Sequence, residues 1–160
     1  MTNLTHQLLE SLTYDPEKGL IFWLSGRRAF FSKHPKGYLM GTFKGKKYLA
    51  HRVLWLLHYR QWPEGQIDHI DGDRCNNSLS NLRDVSKVDN DRNRGKNCNN
   101  TSGATGVHWD KRVNKWQVRI TDSKGKRRTL ATLQDFEAAV QLRKSWEKQE
   151  GYHKNHGRDM

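Results

Sequence analysis

Gln66-Ile67-Asp68-His69-Ile70-Asp71-Gly72-Asp73, followed by Ser80-Asn81-Leu82-Arg83 and then by Asp89-Asn90-Asp91, is the stretch on which the reading of this chain turns. It puts a carboxylate, an imidazole and two asparagines into a short span. Asp68 and Asn90 offer the oxygen ligands that a hard divalent cation prefers. Hydrolysis also wants a base near neutral pH, and the imidazole His69 is the natural one. These are the groups that metal-assisted cleavage of a phosphodiester requires. If Asp68 and His69 lie on a strand, they point to opposite faces, so a ligand and a base converge only at a strand end or a backbone distortion.

The composition agrees with a polyanionic partner. Lys and Arg number 29 against 17 Asp and Glu in 160 residues, a formal net charge of +12, and such an excess favours phosphate neutralisation. No stretch has the length and apolarity of a bilayer span and no signal-peptide pattern opens the chain, so a soluble protein without a membrane partner is expected. Only 34% of residues are hydrophobic, which favours small modules over one large core. Cys75 and Cys98 stand apart, neither in a CxxC pair, and no structural zinc is expected.

Outward from the central stretch, Leu4 to Leu12 reads as an amphipathic helix. Tyr14 to Gly19 is turn chemistry, and Leu20 to Leu24 is a strand. Tyr38 to Phe43 and Lys47 to Ala50 flank Lys44-Gly45-Lys46 as a hairpin. His51 to Tyr59 suits a helix ending before Pro63. His51 either lies near a metal or phosphate or simply starts this helix. Ile67 to Ile70 reads as a strand, residues 71–78 as a turn-rich loop and residues 79–92 as mostly helix. Asp71, Gly72 and Asp73 go to the turn, and Asn76 and Asn77 to loop hydrogen bonds. An EF-hand is excluded by the missing alternating ligands and terminal glutamate.

Beyond an Asn- and Gly-rich linker, Gly106 to Asp110, Lys115 to Asp122 and Arg127 to Thr132 read as three strands, with turns at Val113-Asn114 and Ser123-Lys124-Gly125. Trp116, Val118 and Ile120 alternate with Gln117, Arg119 and Thr121, the pattern of a half-buried strand. Asp135 caps a helix to about Glu150, with Phe136, Ala139, Val140 and Trp146 on its apolar face. The tail from Gly151 reads as loose.

The motif Ile67-Asp68-His69-Ile70-Asp71-Gly72-Asp73 with Asn76-Asn77 and Ser80-Asn81-Leu82-Arg83 resembles the HNH endonucleases, in particular the phage and intron-encoded group with a ββα-metal core. Tyr48-Leu49-Ala50-His51-Arg52 and Trp62-Pro63-Glu64-Gly65 are similar to the approach to the motif in phage members. His69 and Asn81 are 12 residues apart, and Asp68 and Asn90 are 22 apart. Both separations resemble those of homing-type members with Asn in place of the last His. The resemblance implies His69 as general base, Asn81 orienting it, and Asp68 and Asn90 holding one divalent metal. With Asn at the last position that metal is Mg²⁺ or Mn²⁺ rather than zinc. It implies double-stranded DNA as substrate, nicked by a monomer or cut by a dimer to 5′-phosphate and 3′-hydroxyl ends. It also implies a phage enzyme working in the cytoplasm of a bacterial host. A catalytically silent DNA-binding regulator on the same scaffold is the alternative.

Gly106-Val107-His108-Trp109, Lys115 to Ile120, Ala131-Thr132-Leu133 and Glu137-Ala138-Ala139 resemble an AP2-type DNA-binding domain, which implies a sheet entering the major groove. Expected DNA contacts there are His108, Trp109, Lys111, Arg112, Gln117, Arg119, Arg127 and Arg128, with Lys124 and Lys126 adding nonspecific affinity. In the nuclease part they are Arg52, Arg83, Arg92 and Arg94. For Trp109 and Trp116 core packing competes with DNA contact.

The expectation is therefore an α+β chain. A β-rich extension and an HNH core occupy residues 1–95, the core itself spanning 48–95. A linker at 96–105 leads to a three-stranded sheet on one helix at 106–151, and a flexible tail follows at 152–160.

Overall fold

In the computed structural model, residues 3–122 and 125–158 are described. The fold is α+β with small antiparallel sheets. Residues up to Lys87 form one compact unit and those from Val88 a second. The expected boundary at 95–96 is thus displaced: residues 88–95 and the segment read as a linker both fall in the second unit.

In the first unit, α1 (Asn3–Ser11) leads into β1 (Leu12–Asp15), which pairs with β2 (Leu20–Trp23) and through it with β3 (Arg28–Ala29). A second sheet joins β4 (Ser32–Lys33), β5 (Leu39–Phe43) and β6 (Lys46–Leu49). Lys44 and Gly45 alone turn β5 into β6, both with positive φ (46° and 76°). That is the backbone of a type I′ hairpin, whose twist matches its strands. Helix α2 (Ala50–Tyr59) follows, and its Val53, Leu54, Leu56 and Leu57 are buried. They pack with Leu8, Leu12, Ile21, Phe43 and others in one core, each large side chain contributing about 1.5–3 kcal/mol. The helix ends on Arg60 in the left-handed conformation, its N–H returning to Leu56 O, before Pro63 can clash.

A two-stranded sheet, β7 (Gln66–His69) and β8 (Leu82–Val85), carries the central motif, and α3 (Lys87–Asp91) follows it. The helix expected over 79–92 is corrected here. Only a single 3₁₀ turn, Leu79–Asn81, precedes β8, because residues 82–85 take their backbone hydrogen bonds from β7, with Asp68 opposite Arg83 and His69 opposite Leu82. β1 is likewise a strand where turn chemistry was expected to begin at Tyr14.

In the second unit, β9 (Val107–Asp110), β10 (Lys115–Thr121) and β11 (Arg127–Leu133) form a sheet in the order β11-β10-β9, and α4 (Phe136–Gln149) packs against it. The turn expected at 123–125 has Ser123 and Lys124 outside the described residues. Asp135 caps α4, its carboxylate accepting from Ala138 N at 2.6 Å. Val107, Val118 and Ala139 make the core with Trp116, Leu133 and Phe136 around them.

The tail expected to be loose is tied down as far as Arg158. Gly157 N donates to Arg94 O, and Lys96 N to Arg158 O. Arg158 Nη1 donates to Asn93 O at 2.6 Å, and Tyr152 packs on Trp146. Met160 and Asp159 lie outside the described residues.

Candidate active site

β7 ends at His69, and that strand end sets the geometry of the motif. Adjacent side chains leave opposite faces. Asp68, only 5% exposed, lies opposite Arg83 in the ladder, and the guanidinium donates to its Oδ2 from both Nε (2.8 Å) and Nη2 (2.7 Å). A charge-assisted pair of this kind compensates a buried carboxylate. His69, also 5% exposed, turns to the other side. Its Nε2 meets Asn77 Oδ1 at 2.9 Å. An amide oxygen only accepts, so in this pair Nε2 is the donor.

Asn77 is completely buried, and the loop that holds it is stapled from several sides. Gly72 N donates to His69 O and Ile70 N to Asn81 O. Asn81 Oδ1 accepts from Asp71 N, while its Nδ2 donates to Asp71 Oδ1 and Asn76 O. Burial raises the Asp71 carboxyl, but hydrogen bonds from Asn76, Asn81 and the Asp73 backbone outweigh it and hold it below its ordinary value. Asn81 therefore bonds within the motif loop, and the amide that meets the imidazole is that of Asn77. Gly19 approaches this loop from the first hairpin: a Cβ there would lie 2.2 Å from Asn77 C, and Leu79 N donates to Pro16 O.

His51 both starts α2 and sits against the motif. Its ring meets that of His69 at right angles, centroids 5.1 Å apart. Burial, then the neighbouring His69 and Arg52, lower its pKa to about 3, so it is neutral. Tyr38, for which the sequence suggested no role, lies 5.9 Å from His69 ring to ring. Its contact crosses a separation that no local pattern reveals. Asn77 was legible as a loop residue, without its partner.

The cations expected on phosphate are mostly engaged within the protein. Arg52 reaches the carbonyls of Gly65 (3.4 Å) and Pro63 (3.5 Å), and Arg83 is held by Asp68. In the second unit Arg92 pairs with Glu150 at 3.5 Å and covers the Tyr152 ring, and Arg94 pairs with Asp91. Asn90 stands on α3 in that second unit. Cys75 and Cys98 are free thiols on the surface. Among the described residues no three His, Cys, Asp or Glu side chains gather to hold a metal. Asp68 carries a carboxylate and Asn90 an amide oxygen, donors whose chemistry suits a hard divalent ion.

On the second unit's sheet, cross-strand pairing puts His108 opposite Gln117, on the face away from Val107 and Val118. His108 Nε2 meets Gln117 Oε1 at 3.1 Å, Arg119 Nη2 donates to the same oxygen, and Gln117 Nε2 donates to Asp110 Oδ2. Asp110 also accepts from Arg112. Burial and the nearby Arg119 cation lower His108 below its ordinary pKa. Arg127, opposite Thr121, shares this face, while Arg128, opposite Ile120, belongs to the other. Lys111 is exposed on the β9–β10 turn. Trp109 pairs with Trp116 on the helix side, 5.1 Å ring to ring, and stays 42% exposed. Trp116 packs on Phe136.

Residues 48–92 match the family model described as HNH endonuclease. Protein 3.8 of Escherichia phage T7 is 36% identical over 72 residues, covering 44% of this chain and 60% of the phage protein. The chain thus spans less than two thirds of that relative's length. The solved structure of the HNH homing endonuclease I-HmuI, on its DNA binding and cleavage, aligns over 45% of each chain at 28% identity with a TM-score of 0.36, too loose a superposition to bear on the fold. No helix among the described residues is long and apolar enough to cross a membrane. The Asp68-His69 pair at the end of its hairpin and Asn81 in the loop both lie within residues 48–92, the segment similar to HNH endonucleases.

Proposed function

We propose that the protein is a metal-dependent DNA endonuclease of the nicking or homing type, with His69 as its general base. The observation that carries this reading is the buried His69 imidazole at the end of β7, fixed through Nε2 by Asn77 Oδ1, with Nδ1 as the nitrogen that takes the proton from water. The water oxygen bonds to phosphorus and its proton passes to Nδ1. The bond from phosphorus to the 3′ oxygen breaks, and that oxygen takes a proton from solvent, giving 5′-phosphate and 3′-hydroxyl ends. His51 is neutral beside the base, so its own ring adds no charge against the one that His69 acquires.

Asp68 and Asn90 would hold one Mg²⁺ or Mn²⁺, which when bound neutralises charge on the scissile phosphate and the leaving oxygen. Arg83 holds the Asp68 carboxylate in place through two hydrogen bonds. Asn81 orients the base through the loop that presents Asn77. Asn77 itself fixes the tautomer.

The second unit is the DNA-binding module, AP2-like in its sheet-on-helix arrangement. His108, Gln117, Arg119 and Arg127 share one sheet face, Arg112 joins them through Asp110, and Lys111 flanks them. An antiparallel ribbon of this width suits the major groove. Gln117 is held at both ends of its amide by neighbours, a preorganised reader of a base edge. A net charge of +12 supports the duplex as partner.

The test is nicking of supercoiled plasmid with Mg²⁺ or Mn²⁺ by the wild type and by His69→Ala, with DNA binding measured in parallel. Conversion to open circle by the wild type only is the expected result. Binding without nicking in both proteins would replace the enzyme with a DNA-binding regulator.

A further inference from the structure

Three rings from three elements close on one another in the first unit. Tyr38 comes from the turn between β4 and β5, His51 from the start of α2 and His69 from the end of β7. The Tyr38 ring lies 5.2 Å from His51 and 5.9 Å from His69, and the two imidazoles are 5.1 Å apart at 87°. Aromatic side chains at such separations attract each other. The turn that carries Tyr38 is also fastened to the loop following His69. Arg74 Nη1 donates to Lys36 O at 2.7 Å, and its guanidinium covers the Tyr38 ring at 5.2 Å. The Cys75 thiol donates to Gly37 O. Chain order therefore makes a closed circuit: the motif loop holds the turn, and the turn holds a ring beside the motif's imidazole.

His51 completes the enclosure in an unusual way for a histidine. It is 4% exposed, and its Nδ1 is buried without a hydrogen-bond partner. An imidazole kept for hydrogen bonding would not be left so, because an unsatisfied buried nitrogen carries a desolvation cost. What the ring supplies at this position is a wall.

We propose that Tyr38 and His51 are positioning residues that cradle His69, holding the imidazole in the orientation in which Nε2 meets Asn77. Neither residue touches the reacting atoms. The two neighbouring rings stand 5.9 and 5.1 Å from the imidazole, on separate elements of the first unit. Enclosure on two sides also removes ring rotamers that would carry Nδ1 away from the water. The cradle rests on the assignment of His69 as base.

The test compares wild type, Tyr38→Leu, Tyr38→Phe and His69→Ala. One arm is single-turnover nicking of supercoiled plasmid with Mg²⁺, alongside plasmid affinity. The other uses ¹⁵N-histidine NMR of the metal-free proteins, His69 being assigned by its loss in His69→Ala. Tyr38→Leu should nick about tenfold more slowly at unchanged affinity. It should also convert His69 from the single Nε2–H tautomer to a mixture, and Tyr38→Phe should restore both. If Tyr38→Leu keeps the wild-type rate and tautomer, or if Tyr38→Phe is as impaired as Tyr38→Leu, the cradle is overturned. Should Tyr38→Leu lose its fold by circular dichroism, Tyr38→Met carries the same comparison. An inert wild type, or a fully active His69→Ala, would instead sink the base assignment, and the metal-free spectra would still decide the cradle.

Discussion

Replacing His51 by phenylalanine should make the first unit less sensitive to acid. In the folded protein burial lowers the His51 pKa from 6.5 to about 3. Unfolding exposes the ring and returns it to its ordinary value. Between those two values the unfolded state binds the extra proton, so stability rises with pH through this window. The neutral ring carries no penalty above pH 6.5, and stability drains away as the pH falls below it. At pH 5 the unfolded imidazole is almost fully charged and the folded one almost fully neutral. The difference at that pH is about 1.5 pKa units, or about 2 kcal/mol relative to pH 8. Phenylalanine keeps an aromatic ring against Tyr38 and His69 but has no proton to gain, and the remaining histidines contribute equally to both proteins. Native-state hydrogen exchange of the α2 amides at pH 8 and pH 5, with intrinsic exchange rates corrected, reads the first unit alone. The wild type should lose about 2 kcal/mol more than His51→Phe over that interval. Equal losses in the two proteins would refute the account of a neutral buried imidazole.

Gly19→Ala should destabilise the first unit by about 2–4 kcal/mol in urea unfolding. The residue has φ +64° and its new Cβ would lie 2.2 Å from Asn77 C. Nicking should fall with it, since the displaced backbone carries the His69 partner. Arg83→Ala takes the guanidinium away from the buried Asp68 carboxylate. With the arginine side chain 34% exposed, a loss of about 1–3 kcal/mol is expected by the same assay. A stability equal to wild type would mean that solvent already screens the pair. Asp135→Ala removes the cap of α4 and should cost the second unit about 1 kcal/mol, measured by thermal melting followed through Trp146.

Local chemistry made much of this molecule readable. The run Val53-Leu54-Trp55-Leu56-Leu57 could bury a face only as a helix, and Lys44-Gly45 could turn only as a tight hairpin. Alternation from Trp116 to Thr121 marked β10, and Asp135 marked the start of α4. β8 was misread because Leu79, Leu82 and Val85 recur at a helical spacing, whereas the competing partner, β7, is more than a dozen residues away in sequence. Pairing over that distance is decided by tertiary context rather than by local period. At the site, Asp68 and His69 were legible from their own chemistry. Their partners were not: Arg83 meets Asp68 only because the ladder register sets them opposite, and Tyr38 reaches His69 from a different sheet. The tail was misread for a related reason. Its polar residues bond to the backbone of residues 93–96, and such contacts leave no hydrophobic pattern.

The contact between Gly19 and Asn77 has a consequence for anyone wishing to transplant this site. The recognisable family segment begins at Tyr48, which invites excision there as a portable cassette. Yet the backbone that props the Asn77 loop, and the tyrosine ring beside His69, both lie upstream of that cut. A graft starting at Tyr48 would carry the signature residues without the scaffold that aims them. The smallest cassette that keeps these supports together with Asn90 starts at β1, ahead of the turn formed by residues 16–19, and runs through α3.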